Sequence, residues 1–360
     1  MPARPPRPLL AAALLPLLLG GCDMVVMHPM GDVALQQRNL VIFALALMLL
    51  IVVPVIALVG LFAWRYRATN LAARYEPEWD HSTQLELVIW SAPLLIVIAL
   101  GAVTWTGTHL LDPYRPIERL AARRPVPAGT RPLEVQVVAL DWKWLFIYPE
   151  YGIATVNELA APVDRPIRFR LTSANVMNAF YVPTLAGMIY AMPSMETKLH
   201  AVINRPGNYA GFSANYSGAG FSGMRFRFHG LDQAGFAAWV ARNRAAPLPL
   251  TRANYLRLEQ PSEKVPVIRF GRIAPGLFDA VVNQCVRPGA TCMRDTMRRD
   301  PGDSAAMTHM PNMSSPQRPR AQSPLTTSDA GGPPPRTPAD IRQRGPAAPD
   351  QSRTPHQKAL

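Results

Sequence analysis

Cysteine is scarce in this chain: its 360 residues hold three, Cys22, Cys285 and Cys292, and none falls between positions 23 and 284. A soft-metal centre built on thiolates therefore has no ligands in the middle of the sequence, and a disulfide framework is excluded there too. Lys, Arg, Asp and Glu are missing from two 25-residue runs, 40–64 and 87–111. Phe, Trp and Tyr are missing from residues 301–360, which hold 12 prolines. With little large apolar surface to offset the entropy of ordering, that stretch reads as a disordered tail. The formal net charge is +13, but the arginines are scattered rather than gathered on one face among stacking aromatics. Nucleic acid is therefore not an expected partner.

What is present begins with an export pattern. Arg4 and Arg7 precede a short apolar run at 9–19, too short to span a bilayer, and Leu19-Gly20-Gly21-Cys22 closes it. That ending resembles the bacterial lipoprotein box, which implies removal of residues 1–21 and lipidation of Cys22. The segments 40–64 and 87–111 would each reach roughly 37 Å as helices, against a hydrocarbon core of about 30 Å, so both are expected to span. Pro54 and Pro93 lie inside them, which lipid-embedded helices tolerate. Arg65, Arg67 and Arg74 between the runs balance Arg115, Arg119, Arg123 and Arg124 after the second, so basic residues do not set the orientation. The lipoprotein signal does: residues 22–39 start outside, 65–86 form a cytoplasmic loop, and everything after 111 returns to the periplasm.

After a linker at 112–130 the pattern shifts to short runs of period-two alternation at 133–138, 142–148, 167–172 and 224–228, separated by turn signals such as Pro206-Gly207-Asn208. The simplest reading of residues 131–231 is an antiparallel β-sandwich. A helical C-terminal extension follows at 232–300. It opens with Asp232 as a cap and Phe236, Trp239 and Val240 on one face of a helix that reaches about residue 246. Cys285 and Cys292, with six residues between them in an oxidising compartment, are candidates for a local disulfide. In the tail, Met307, His309, Met310 and Met313 form a cluster of soft donors. Trp142 and Trp144, two apart on a strand, should face the same side, packing on the sandwich core or on a larger partner.

Several motifs in one order carry a resemblance. They are Gln37-Arg38-Asn39-Leu40, His81-Ser82-Thr83-Gln84-Leu85-Glu86, Asp141-Trp142-Lys143-Trp144-Leu145-Phe146-Ile147-Tyr148-Pro149-Glu150, Ser173-Ala174-Asn175-Val176-Met177-Asn178, and the loop running from Ser213 through Asn215, Ser217, Gly220 and Phe221 to Met224. Together, over roughly residues 22–290, they resemble subunit II of haem-copper terminal oxidases, closest to the cytochrome bo type of ubiquinol oxidase. The resemblance implies a two-helix transmembrane hairpin followed by an all-β cupredoxin-like sandwich.

In the cytochrome c oxidases of this superfamily the sandwich carries a binuclear copper centre. It uses two cysteines four apart, a glutamate between them, a histidine and a methionine just after, and an earlier histidine. The matching positions here are Ser213, Ser217, Asn215, Phe221, Met224 and Asn178. Five of the six lack the ligand chemistry, since a hydroxyl or amide is a hard, poor partner for copper. The resemblance therefore implies no cofactor on this subunit, with haems and a copper ion in subunit I. It also implies electrons drawn from ubiquinol in the membrane and a proton-pumping complex of subunit I, this chain and smaller membrane subunits. Glu86, at the cytoplasmic start of the second run, matches a glutamate at the mouth of a proton pathway in similar oxidases. The competing readings are a cytochrome c oxidase subunit, which the ligand set opposes, and a free lipoprotein that binds or delivers copper through its tail.

Overall fold

The two charge-free runs form the helices α1 (Asp32–Arg65) and α2 (Thr83–Leu110), both long and apolar enough to cross a membrane. Their most apolar windows are not buried by the rest of the chain, so neither is the core helix of a soluble domain. The first begins well before Leu40: Gly31 is its N-cap and Asp32 puts a carboxylate in the first turn, against the unsatisfied N–H groups of the helix start. Ser82 caps the second, its Oγ accepting from Leu85 N at 3.5 Å. The helices meet where Gly107 is buried under Leu40; a Cβ on Gly107 would lie 2.9 Å from that side chain. The computed structural model describes residues 24–74 and 76–299. Cys22, the signal segment 1–21 and the tail with Met307, His309, Met310 and Met313 lie outside the described residues.

Beyond the helices the chain builds two facing sheets. The strands are β1 (Leu133–Leu140), β2 (Lys143–Tyr148), β3 (Ile153–Val156), β4 (Glu158–Pro162), β5 (Ile167–Ser173), β6 (Asn178–Tyr181), β7 (Ile189–Ala191), β8 (Thr197–Ala201), β9 (Gly207–Ser213), β10 (Arg225–Leu231) and β11 (Ile268–Phe270). One sheet runs β8-β5-β1-β2-β3-β11 and the other β4-β10-β9-β6-β7. The sandwich is not purely antiparallel as expected. β1 pairs parallel with β5 and β10 pairs parallel with β4, because long connections carry the chain between layers before it returns beside an earlier strand.

Between the sheets lies an aromatic core. Trp144 meets Phe180 and Phe226 edge-on at 5.5 and 5.9 Å, and those two rings stack at 5.4 Å. The helix α3 (Gln233–Arg244) closes one side: Asp232 Oδ1 accepts from Gly235 N at 2.7 Å, and Phe236, Trp239 and Val240 are buried against the sandwich. The C-terminal extension then does more than add helices. Its strand β11 extends the first sheet, pairing with β3, and α4 (Arg252–Glu259) and α5 (Leu277–Val282) cover that sheet's outer face. Val138, Leu140, Leu145 and Ile147 are buried there beside Tyr255, Phe270 and Phe278. That second layer explains why every residue of β2 is buried, where a one-sided sheet would show alternation.

Candidate functional site

The positions matching the copper centre converge at the end of the sandwich where β9 and β6 lie side by side. Ser213 closes β9 and Asn178 opens β6, both buried. The Ser213 hydroxyl lies 3.2 Å from Asn178 Oδ1 and 3.3 Å from the Asn215 carbonyl. Asn178 Nδ2 donates to Val176 O at 3.1 Å and Asn215 Nδ2 to Met177 O at 3.2 Å. Backbone bonds close the ring: Ser213 N donates to Met224 O at 3.1 Å and Met224 N to Phe221 O at 3.0 Å. The Met224 side chain is buried in the aromatic core, and Phe221 packs on the exposed ring of Tyr216 at 5.6 Å. The six positions are therefore held together by neutral hydrogen bonds and packing.

Such a donor set does not fit copper. Its nearest atoms are a protonated hydroxyl, amide oxygens and one thioether committed to the core, with no thiolate or imidazole to displace water from the metal. Among the described residues no group of three or more His, Cys, Asp and Glu gathers at a site able to hold a metal ion.

Trp142 departs from the expectation that it shares a strand face with Trp144. It occupies the turn between β1 and β2 with φ of 64°, which frees its ring from the alternation of β2. The indole Nε1 donates to Ser217 O at 3.0 Å, and the ring lies so close over Gly220 that a Cβ there would approach it to 2.5 Å. Trp142 is thus the floor of the loop, while Trp144 is fully buried between the sheets.

The neighbouring Lys143 is a residue that pattern reading passed over. Its ammonium is buried and donates to Asp141 O, Gln260 O and Ser262 Oγ at 3.2, 2.8 and 2.7 Å, tying the extension to the turn that carries Trp142. Burial holds its pKa below the ordinary lysine value, partly countered by Asp141. The signal for it was a lone cation inside an otherwise apolar strand. Elsewhere, Cys285 and Cys292 form a disulfide beside the second core. Glu86 sits in the first turn of α2, half-exposed, 3.4 Å from His81 Nε2. It is far along the chain from the Ser213 loop and shares no contact with it.

At the other end of the sandwich the helices are fastened to the domain. Asp32, 3 % exposed, receives Gln36 Nε2 at 2.8 Å and Arg119 Nε at 2.9 Å. Met30 N and Gly31 N both donate to Thr184 O, and Asn204 N donates back to Met30 O. His200 Nδ1 lies 3.1 Å from Pro113 O, and burial lowers its pKa.

The fold and this emptied ligand set define a class: a membrane-anchored, cupredoxin-like oxidase subunit II domain without a copper-binding set. Comparison with known proteins agrees. Residues 151–229 match the family "Cytochrome C oxidase subunit II, periplasmic domain", and residues 244–289 match "COX Aromatic Rich Motif". Over 268 residues the chain is 48% identical to cytochrome bo(3) ubiquinol oxidase subunit 2 of Pseudomonas aeruginosa, covering 74% of this chain and 78% of that one. It is 47% identical over 266 residues to ubiquinol oxidase subunit 2 of Acetobacter aceti, covering 74% and 84%. The crystal structure of the periplasmic domain of subunit II of cytochrome oxidase of Bradyrhizobium japonicum is 23% identical, covering 32% of this chain and 95% of that one, with a TM-score of 0.30. The chain belongs to the subunit II family of cytochrome bo(3) ubiquinol oxidases. It is a subunit of an oxidoreductase complex of the inner membrane, with its sandwich on the periplasmic side.

Proposed function

We propose that this chain is the non-redox periplasmic cap of a proton-pumping oxidase that takes electrons from ubiquinol. The observation that carries the reading is the Ser213–Asn178 hydrogen bond. Where a copper-bearing subunit would place metal ligands, this chain places a neutral donor–acceptor pair, so the domain has no electron entry port. Electrons must then enter from a donor dissolved in the bilayer, and the relatives named above are ubiquinol oxidases. In this reading haems and copper belong to subunit I, which reduces oxygen. The helix pair packs against that subunit and the smaller membrane subunits; Gly60 and Gly101 have open space beside them for close helix approach. A lipidated Cys22 anchors the amino terminus at the outer leaflet.

Glu86 is the proposed proton-collecting residue. Its carboxylate stands at the cytoplasmic start of α2, accessible to water and beside an imidazole, which suits relay of protons toward subunit I. One preparation tests both parts: the complex purified through this chain, wild type and Glu86→Ala. Haem should be present in both, with oxygen turnover lowered in the variant. Absence of haem would overturn the oxidase reading, and equal turnover across a range of pH would remove Glu86 from the proton path.

A further inference from the structure

Soft donors recur in this chain in a pattern that the functional reading leaves unused. Residues 24–30 contain three methionines and one histidine, Met24, Met27, His28 and Met30, and residues 307–313 contain the same set. The first group lies among the described residues, just before α1. There the backbone gathers the donors. Val25–Met27 form a single 3-10 turn, closed by Met27 N donating to Met24 O at 2.8 Å and His28 N to Val25 O at 3.1 Å. Side chains three apart eclipse in such a turn, which sets Met24 over Met27. The imidazole folds back over the same turn, its Nδ1 3.4 Å from Met24 O; with Nδ1 donating, the lone pair of the neutral ring sits on Nε2. Met27, His28 and Met30 line one cavity of about 330 Å³ together with Arg38 and Arg205. Met30 is its fixed member: Met30 N donates to Thr184 O and Asn204 N to Met30 O, which holds the segment on the sandwich and so on the periplasmic side.

We propose that residues 24–30 form an exchangeable Cu(I) site at the outer surface of the membrane, separate from the Ser213 loop and independent of the electron-donor reading above. Thioethers are soft and neutral, and with one imidazole they suit a soft monovalent cation while binding hard divalent ions poorly. The charges around the cavity select in the same direction. Its acid, Asp32, is already engaged by Arg119 at 2.9 Å and Gln36 at 2.8 Å, whereas Arg38 and Arg205 add positive charge. A divalent ion would meet twice the repulsion of Cu(I) there, with no carboxylate available to offset it. The rival reading is that the exposed side chains of Met24, Val25 and Val26 only rest on the lipid surface. Leucine would serve that role as well as methionine does, but only the thioether serves copper.

The test uses the native complex purified through the full chain and washed with a Cu(I) chelator, which empties an exchangeable site; any copper that stays is subtracted. Cu(I) is then added anaerobically with ascorbate, in competition with a chromophoric Cu(I) chelator. The combined variant Met24→Leu, Met27→Leu and Met30→Leu should take up about one Cu(I) per chain fewer than the wild type, whatever residues 307–313 add to both. Copper-edge X-ray absorption should show sulfur neighbours in the wild type that the variant loses. Equal uptake by the two proteins would overturn the site, as would Zn(II) bound by the wild type as tightly as Cu(I). Copper that leaves only when Met307, His309, Met310 and Met313 are replaced would place the metal on the tail and overturn it equally. Should the triple variant fail to assemble, Ag(I) added to the wild type decides the matter. It should protect Met24 and Met27 from conversion to sulfoxide by mild peroxide, and oxidation at an undiminished rate would contradict the proposal.

Discussion

The loop end and the membrane end of this domain are held by different kinds of force. At the loop end Ser213, Asn178 and Asn215 join through neutral hydrogen bonds over the Trp142 ring and the aromatic core. At the membrane end a buried carboxylate on an arginine and a set of backbone bonds from Met30, Gly31 and Asn204 fasten α1 to the sandwich. The contrast shows where each end acts. The loop brings together the positions that match a copper centre but holds no donor set that would take the metal. The other end fixes how the domain stands on its helices, as the proposed capping role requires.

The strongest way to break that contrast is to put the donors back. A variant with Ser213→Cys, Ser217→Cys, Asn215→Glu, Asn178→His and Phe221→His, with Met224 kept, should bind copper where the wild type binds none, read by metal analysis of the purified protein. Failure of the fully substituted and folded chain to bind would show that the loop scaffold itself has been lost. Next in size is Trp144→Ala, which empties the space beneath the loop between Phe180 and Phe226. It should cost about 3–5 kcal/mol of stability, seen as an earlier unfolding midpoint of the full chain in detergent. A change under about 1 kcal/mol would mean that the aromatic cluster does not support the loop.

A smaller effect tests ion pairing away from both ends. Burial alone would raise the Glu158 pKa, but hydrogen bonds from His229 and Arg269 outweigh it and hold the group at about 2, below the ordinary 4.5. The folded state thus favours the ionised form. Its contribution is complete above pH 4.5 and is lost as pH falls toward about 2. Glu158→Gln should lower stability at neutral pH and flatten its acid dependence in that window. An unchanged acid profile would contradict the pairing.

How much of this was legible depended on whether a feature is local. The charge-free runs and the Asp232 cap with Phe236, Trp239 and Val240 are local patterns, and the structure shows helices there. The lack of copper chemistry at Ser213 and Asn178 was readable because side-chain type alone decides it. The two parallel strand pairs, β11 and the burial of Lys143 were not readable, since each depends on segments far apart in sequence: Lys143 reaches Gln260 and Ser262, and β3 pairs with residues 268–270. Trp142 misled because period-two alternation assumes a continuous strand, and a positive φ turn interrupts it. The Asp32–Arg119 pair joins residues 87 apart, a partnership no spacing rule contains.

The most direct measurement of the central claim is oxygen consumption by the detergent-purified native complex, given a short-tailed ubiquinol and, separately, reduced cytochrome c. The account predicts turnover with ubiquinol and none with cytochrome c. Preferential oxidation of cytochrome c would contradict it, because electrons would then be entering through a domain whose Ser213 and Asn178 can hold no copper.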